Sequence, residues 1–283
     1  MAHLTVSTAW LEAHLDDPNV VVIDIRGHVI PASEPPPHYF AHDEAYAESH
    51  IPGARFVNWV TDITVNGPLQ NQVAPPEKFA ALMSALGIDE DIMVVAYDDA
   101  NGMFAARLWW ALHYYGHRRA VVLDGGWNAW VSEGRPVSAR VPVVTPRVFV
   151  PRLDASIRRD RHAVEKLLHT DTSLIDVRSA AEYRGESARA KRKGHIPGAV
   201  SLPIKEALAT PDGRMPPPET LRACLAKPAS RVTIRMSCCT ATAASAPASR
   251  CLRIASPGST AARSTTAVGK SGATTTRCRL SED

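Results

Sequence analysis

The chain has 283 residues, 45% of them hydrophobic, which is enough for one large domain or two ordinary ones with packed cores. Its 32 lysines and arginines nearly balance its 29 aspartates and glutamates, so the charge indicates neither a nucleic acid nor a membrane surface as a partner. The sequence contains no apolar stretch of about 18 residues and no signal-like N-terminus, so we expect a soluble protein of the cytoplasm.

The first half of the chain alternates strand and helix patterns. Apolar runs predict buried strands at 20–26, at 92–99 and at the start of 119–130. Apolar residues at helical spacing predict helices at 8–15, 75–88 and 103–117. This alternation favours a parallel sheet that is covered by helices on both faces.

The second half repeats the first. The pattern D-I-R followed by H-I-P-G-A at 24–59 recurs as D-V-R followed by H-I-P-G-A at 176–203, and P-P-E recurs at 217. Two copies of one domain of about 140 residues follow from this offset. We therefore predict an N-terminal domain at 1–139, a Pro- and Val-rich linker at 140–154 and a C-terminal domain at 155–283.

These motifs, together with "YDDANGMFAARLWWALHYYGH", "LDGGWNAW" and "DVRSAAEYRGE", resemble the tandem rhodanese sulfurtransferases. The resemblance extends from about residue 5 to about residue 230. It implies an α/β fold of two tandem rhodanese-like domains, each a mostly parallel sheet flanked by helices. It also implies transfer of a sulfane sulfur from a small anionic donor, thiosulfate or 3-mercaptopyruvate, to cyanide or a thiol through a cysteine persulfide. We expect no cofactor and no metal for this reaction, and neither a nucleic acid nor a membrane as a partner.

In this family the nucleophile is a cysteine of the second domain, in a loop whose backbone N–H groups and following helix favour the thiolate. Cys239 is the nearest thiol to that position, whereas the first copy carries Asp98 there and is expected to be inactive. The resemblance assigns donor binding to Arg178 and Arg184, because guanidinium groups suit sulfonate or carboxylate oxygens. For Arg178 an alternative is that it only pairs with an acid and fixes the end of a strand.

Other polar residues fit structural roles better. Asp24 and Asp176 end buried strands, where carboxylates accept backbone N–H groups, and His50 and His195 are expected to make structural hydrogen bonds. The basic run of Arg189, Lys191, Arg192 and Lys193 predicts solvated surface. A metal site built from Cys238, Cys239 and Cys251 is disfavoured because the C-x₂-C spacing is missing and no histidine is nearby.

The C-terminal tail departs from the repeat. From residue 231 onward, 27 of 53 residues are Ser, Thr or Ala, and no aromatic residue follows Tyr183. Cys239 is followed by "TATAAS" with no glycine, and the counterpart of "LDGGWNAW" is missing. Such a tail has few large apolar residues with which to offset chain entropy.

A frameshift explains this tail. For each residue a synonymous codon can be chosen, and the resulting bases can be read in triplets that start at the third base of each codon. Read in this way, "RSTTAVGKSGATTTRCR" permits L-Y-D-G-S-W-Q-E-W-G-N-D-D-T-L-P, and "MSCCTATAA" permits V-[LV]-L-Y-C-x-G-G. The ancestral cysteine would then straddle codons 240 and 241, and the shift would lie between about 225 and 235. We expect the second domain to be aberrant after about 230 and poorly ordered from about 235, and the chain to be weakly active or inactive.

Two other functions compete with sulfur transfer. A non-catalytic rhodanese-like binding module is an alternative because both nucleophile loops are irregular. A rhodanese-related phosphatase or arsenate reductase would need a longer cysteine loop that ends in arginine. The tandem organisation and the inert first half favour a sulfurtransferase over these enzymes.

Overall fold

The computed structural model describes residues 4–31, 34–67, 71–190, 192–207, 210 and 212–226. All of these residues belong to one compact unit. Cys239 and the aberrant tail lie outside the described residues, so the disorder expected for them stays a prediction. No helix in the described part of the chain is long and apolar enough to cross a membrane.

The strands of the main sheet alternate with helices through the first half, as predicted, and the structure adds two short antiparallel hairpins that the sequence did not predict. The strands are β1 (Thr5–Val6), β2 (Val20–Asp24), β3 (Gly27–Val29), β4 (Tyr39–Ala41), β5 (Arg55–Phe56), β6 (Thr64–Val65), β7 (Gln72–Val73), β8 (Met93–Tyr97) and β9 (Ala120–Leu123). The helices are α1 (Thr8–Glu12), α2 (Asp43–Glu48), α3 (Pro76–Ala85), α4 (Met103–Tyr114) and α5 (Gly126–Ser132).

Five of these strands form one parallel sheet in the order β1-β9-β8-β2-β5. Val22 in β2 lies opposite Val95 in β8, which in turn lies opposite Val121 in β9. The side chains of a strand alternate between the two faces of a sheet, and here both faces are buried. That is why the strands are continuous apolar runs rather than alternating ones.

Helices cover both faces of this sheet. On one face, Ile23 and Val94 pack with Phe79 of α3 and Phe104 of α4. On the other face, Val22, Val95 and Tyr97 pack with Leu11 of α1 and Trp130 of α5. Two separate hydrophobic clusters therefore hold the sheet, and the first half contains a complete core of its own.

The segment 140–154 lies along the first half. The N–H of Arg147 donates to the carbonyl of Ser84 (3.0 Å), and the N–H of Arg152 donates to the carbonyl of Tyr115 (2.8 Å). Phe149 is only 6% exposed and meets Phe79 at a ring-centroid distance of 5.8 Å. The predicted linker is thus anchored in the core of the first half, although the limits predicted for the domains remain a proposal.

His117 packs against this anchored segment and gives the fold a pH dependence. Burial lowers the pKa of His117, whose ring lies 5.9 Å from that of Phe149. The unfolded chain therefore binds more protons as the pH falls through about 6.5, and we expect stability to decrease there by at most about 1.4 kcal/mol per pH unit. Urea denaturation between pH 5 and 7.5 should show a flatter profile for His117→Gln. The control His162→Gln, in a side chain that is 72% exposed, should leave the profile unchanged.

The second half begins with the same elements on a smaller scale. A 3-10 turn (Ala155–Ile157) is followed by α6 (Arg161–Leu167), β10 (Ile175–Asp176), α7 (Ala180–Arg184), β11 (Val200–Ser201), α8 (Ile204–Ala207) and α9 (Pro218–Ala226). Strands β10 and β11 are parallel, and Ile175 lies opposite Val200 just as Ile23 lies opposite Arg55 in the first half. The two halves therefore share the register of this strand pair, β2 with β5 in the first half and β10 with β11 in the second.

Candidate active site

The D-x-R motif of the first half forms a buried ion pair at the end of β2. Nε of Arg26 donates to both oxygens of Asp24 (2.9 and 3.2 Å), and the N–H of Arg26 donates to the same carboxylate (3.0 Å). Tyr97 donates its hydroxyl to Asp24 at 2.6 Å. Burial raises the pKa of Asp24, and its bonds to Arg26 oppose that shift. The ring of Trp127 covers the guanidinium at 4.3 Å.

The second copy repeats this arrangement around Arg178. Its N–H and its Nε each donate to Asp176 at 3.0 Å, and Nη2 donates to Asp176 (2.6 Å) and to the carbonyl of Gly194 (2.8 Å). The hydrogen bonds to Asp176 raise the pKa of Arg178. Within the described residues Nη1 makes no hydrogen bond, whereas Nε and Nη2 are both bound to Asp176. The geometry favours the strand-fixing role of Arg178, and donor binding remains a proposal.

Removing the two arginines should have different costs. We expect Arg26→Met to lower the free energy of unfolding by about 3 kcal/mol, because it leaves Asp24 buried and unpaired. Arg178→Met should cost only about 1 kcal/mol, since Asp176 and Arg178 are 10% and 14% exposed. All six tryptophans lie at or before Trp130, so their fluorescence during urea denaturation measures the loss in Arg26→Met. Hydrogen exchange of β10 and β11 in urea measures the loss in Arg178→Met, whose ion pair lies in the second half. Equal losses for the two variants would contradict this ranking.

Arg184 lies at the end of α7, on the surface. Its Nε donates to Glu186 at 2.5 Å, and the two side chains are 57% and 56% exposed. Helix α7 begins with a capping box between Ser179 and Glu182, which fixes the first residue of the helix. Arg184 therefore lies about one and a half turns after the cap. Its predicted role in donor binding stays a prediction.

Both histidines of the H-I-P-G-A motifs make the predicted structural contacts. His50 is fully buried, its Nδ1 lies 2.7 Å from the carbonyl of Tyr46, and its ring stacks on that of Tyr46. His195 stacks on Tyr183 at 3.8 Å, and its Nδ1 lies 2.8 Å from the Tyr183 carbonyl. Each imidazole therefore holds the H-I-P-G-A turn against the preceding helix.

Asp98 occupies the centre of the first nucleophile loop, at the carboxyl end of β8. Its carboxylate accepts four backbone N–H groups at 2.7–2.8 Å, from Ala100, Gly102, Phe104 and Ala105. Burial raises the pKa of Asp98, and these four bonds oppose the shift. A Cβ at Gly126 would lie 2.2 Å from the Asp98 carbonyl, so only glycine allows α5 to start this close.

These four donors form a cradle for one anionic group. They combine the turn of the loop with the first residues of α4, where backbone N–H groups have no partner within the helix. The sequence placed Asp98 at the nucleophile position, but the convergence of four donors becomes visible only in the fold. In the first half the carboxylate fills the cradle and leaves no room for a sulfur anion.

One predicted surface residue has a different place. Arg189, predicted to be solvated, is half-buried: its Nη2 donates to the carbonyl of Ile30 at 2.5 Å, and its guanidinium lies 5.6 Å from the ring of Tyr39. Arg192 and Lys193 are exposed as predicted, and Lys191 lies outside the described residues. A run of charges gives no signal of which member turns inward, because that depends on the facing β3–β4 hairpin.

A second contact joins the two halves at the carboxyl end of the sheet. The N–H of Met215 donates to Asp124 at 2.7 Å, and Arg214 forms an ion pair with Glu133. Gly213 packs against Asn101, which belongs to the Asp98 loop. We call this contact the seam. The sequence offered no signal for it, since its partners are about 80 to 110 residues apart.

Of the five cysteines, Cys224 alone lies among the described residues. Cys239, the predicted carrier of the persulfide, lies outside the described residues, and Cys224 lies half-buried on α9. Among the described residues, no group of three or more His, Cys, Asp or Glu side chains is arranged to hold a metal ion.

Comparison with known proteins agrees with this architecture. The rhodanese-like domain family matches residues 7–133 and 160–242, which together make up more than half of the chain. The chain is 38% identical over 231 residues to the sulfur carrier protein TtuD of Thermus thermophilus, covering 77% of this chain and 75% of that protein. It is 35% identical over 220 residues to a probable 3-mercaptopyruvate sulfurtransferase of Pseudomonas aeruginosa, covering 75% and 74%.

A thiosulfate sulfurtransferase of Azotobacter vinelandii is 33% identical over 201 residues, with 70% of this chain and 68% of that protein covered. The crystal structure of the 3-mercaptopyruvate sulfurtransferase SseA of Escherichia coli superposes with a TM-score of 0.71 at 28% identity, covering 82% and 85% of the two chains. The chain belongs to the rhodanese-like domain family and is a homologue of the thiosulfate and 3-mercaptopyruvate sulfurtransferases.

Proposed function

We propose that this chain transfers a sulfane sulfur from thiosulfate or 3-mercaptopyruvate to cyanide or a thiol, through a cysteine persulfide. The single observation that carries the proposal is the cradle around Asp98, where four N–H groups converge on one anionic group. The same loop of the second half would offer such donors to a thiolate and then to a persulfide. The names of the relatives support the choice of donors.

The proposed chemistry has two steps. The enzyme thiolate attacks the outer sulfur of thiosulfate, the S–S bond of the donor breaks, and sulfite leaves with the electron pair. Cyanide or an acceptor thiolate then attacks the outer sulfur of the persulfide, and the enzyme thiolate is released. Cys239 is the proposed carrier of the persulfide in the chain as encoded, and Arg178 and Arg184 are proposed to bind the oxygens of the donor.

Mass spectrometry of the intact protein after exposure to thiosulfate or 3-mercaptopyruvate tests this proposal. We expect the mass of one added sulfur atom, which disappears on treatment with cyanide and is absent from Cys239→Ser. Cys224→Ser is the matched control and should still take up sulfur. The same measurement is made on a frame-restored chain, in which one base change returns the tail to the alternative frame. Absence of added sulfur from both the encoded and the frame-restored chain would contradict the proposal.

A non-catalytic binding module is the second candidate, and the filled cradle of Asp98 favours it for the first half. Such a module would take up no sulfur in either form of the chain. The domain limits 1–139, 140–154 and 155–283 and a cytoplasmic location also belong to the proposal.

A further inference from the structure

Three titratable side chains of the first half form a linear chain of hydrogen bonds. Nδ1 of His42 lies 2.7 Å from a carboxylate oxygen of Asp99, and Nε2 of His42 lies 2.7 Å from Nδ1 of His28. The other oxygen of Asp99 accepts the N–H of Gly27 at 3.2 Å. His28 is exposed and stacks on Phe40 at 4.6 Å. We call these three side chains the relay.

The hydrogen bonds determine where the protons of the relay reside. An ionised carboxylate can only accept, so Asp99 requires the proton of His42 on Nδ1. When both imidazoles are neutral, Nε2 of His42 is an acceptor, and His28 donates to it from Nδ1. This leaves Nε2 of His28 with a lone pair at the surface. An aspartate that orients an imidazole in this way also stabilises the imidazolium that forms when the free nitrogen takes a proton.

His42 stands at a position where local structure prefers another residue. It is the N-cap of α2, a site that favours Ser, Thr, Asp or Asn, and its side chain makes no capping hydrogen bond. Its ring instead joins Asp99 to His28. Residues that break a local rule in this way are characteristic of functional sites.

The relay lies at the face of the first half that meets the second. Asp99 follows β8 and belongs to the loop that meets the seam through Asn101. The hairpin that carries His28 also contacts Arg189 of the second half, through Ile30 and Tyr39. Ligands of open parallel sheets bind at the carboxyl ends of the strands, and the relay lies at that end.

We propose that His28 is the general base that takes the proton from the thiol acceptor, and that His42 and Asp99 are its positioning residues. The acceptor thiol loses its proton to Nε2 of His28, and the resulting thiolate attacks the outer sulfur of the cysteine persulfide. The S–S bond breaks, and its electron pair stays on the enzyme cysteine. The acceptor leaves as a persulfide, and His28 returns the proton to solvent. This inference rests on the sulfur-transfer function proposed above.

Nitrogen NMR of the full chain tests the relay independently of turnover. We expect the Nδ1–H form for both histidines in the unprotonated state of the parent chain, and a larger share of the Nε2–H form of His42 in Asp99→Ala, which removes the acceptor. His38→Gln, in the same hairpin, and Glu44→Gln, on α2, are the controls and should leave the tautomer ratio unchanged. A proton on Nε2 of neutral His28 in the parent chain, or an unchanged tautomer ratio in Asp99→Ala, would overturn the relay.

Sulfur transfer to dithiothreitol and to cyanide, in the encoded and frame-restored chains, tests the role as base. His28→Gln should slow transfer to dithiothreitol by about 10²-fold and leave transfer to cyanide within about twofold, because the cyanide ion has no proton to lose. Asp99→Ala should slow transfer to dithiothreitol and leave transfer to cyanide within about twofold, because it removes the group that orients His42. Equal losses with both acceptors would overturn the role as base. No transfer to either acceptor, in either chain, would overturn the proposed function as well.

Discussion

A frame-restored chain should transfer sulfur at least about 10³ times faster than the chain as encoded, because Cys239 lies one position before the place of the family's nucleophile and loss of a correctly placed nucleophile costs this much or more. The alternative frame supplies Y-C-x-G-G after the strand pattern 231–234, where the repeat requires the nucleophile loop. In the encoded frame Cys239 lies one position early and has no glycine after it.

The first half shows what else the tail should supply. Trp127 covers Arg26 at 4.3 Å, and its ring also stacks on Tyr97 at 6.1 Å. The encoded chain has no tryptophan after Trp130, so its second half carries no counterpart of Trp127. The alternative frame permits L-Y-D-G-S-W-Q-E-W, which contains the equivalent aromatic residue. We therefore expect the frame-restored chain to gain stability in the second half as well as activity.

Steady-state transfer from thiosulfate and from 3-mercaptopyruvate to cyanide measures this difference. The control is the frame-restored chain with serine in place of the cysteine that spans codons 240 and 241, and it should be as slow as the encoded chain. Turnover of the encoded chain near that of the frame-restored chain would refute the frameshift hypothesis. Genomic DNA over codons 220–245 gives an independent check, since a single base change must restore a family-like tail.

Asp98→Ala should lower the free energy of unfolding by about 4 to 6 kcal/mol, since four buried N–H groups lose their acceptor at about 1–3 kcal/mol each and water substitutes only in part. Asp98 is 1% exposed, so no side-chain motion can replace its carboxylate from outside. Asp98→Asn keeps the size but points an amide NH₂ at donors, and should cost about 2 to 4 kcal/mol. The cradle therefore needs an anion, whichever residue provides it.

Urea denaturation followed by tryptophan fluorescence measures this loss in the first half. Asp17→Asn is the control, because Asp17 accepts a single N–H, from Asn19, in an exposed turn (2.8 Å), and its loss should stay within about 1 kcal/mol. An Asp98→Ala variant within about 1 kcal/mol of the parent chain would show that the four donors find other partners.

The sequence predicted most of the fold correctly because its signals are local. Buried strands at 20–26 and 92–99 and helices at 75–88 and 103–117 follow from apolar period and length, and the structure has each of them within a few residues. The repeat predicted two copies of one domain, and the structure pairs β2 with β5 in the same register as β10 with β11. The sequence also predicted structural hydrogen bonds for His50 and His195, which the structure confirms.

The tertiary structure decided how these parts are used. Contacts between residues far apart in the chain determine three features: the order of the five strands, the burial of Phe149 in the core, and the seam at Asp124 and Met215. Sequence could name Asp98 and Arg178, but not the four donors around Asp98 or the hydrogen bonds that hold Arg178 to Asp176 and Gly194. Periodicity and motifs report the neighbours along a chain, whereas a site consists of neighbours in space. The direction of a side chain there is set by packing that no local pattern contains.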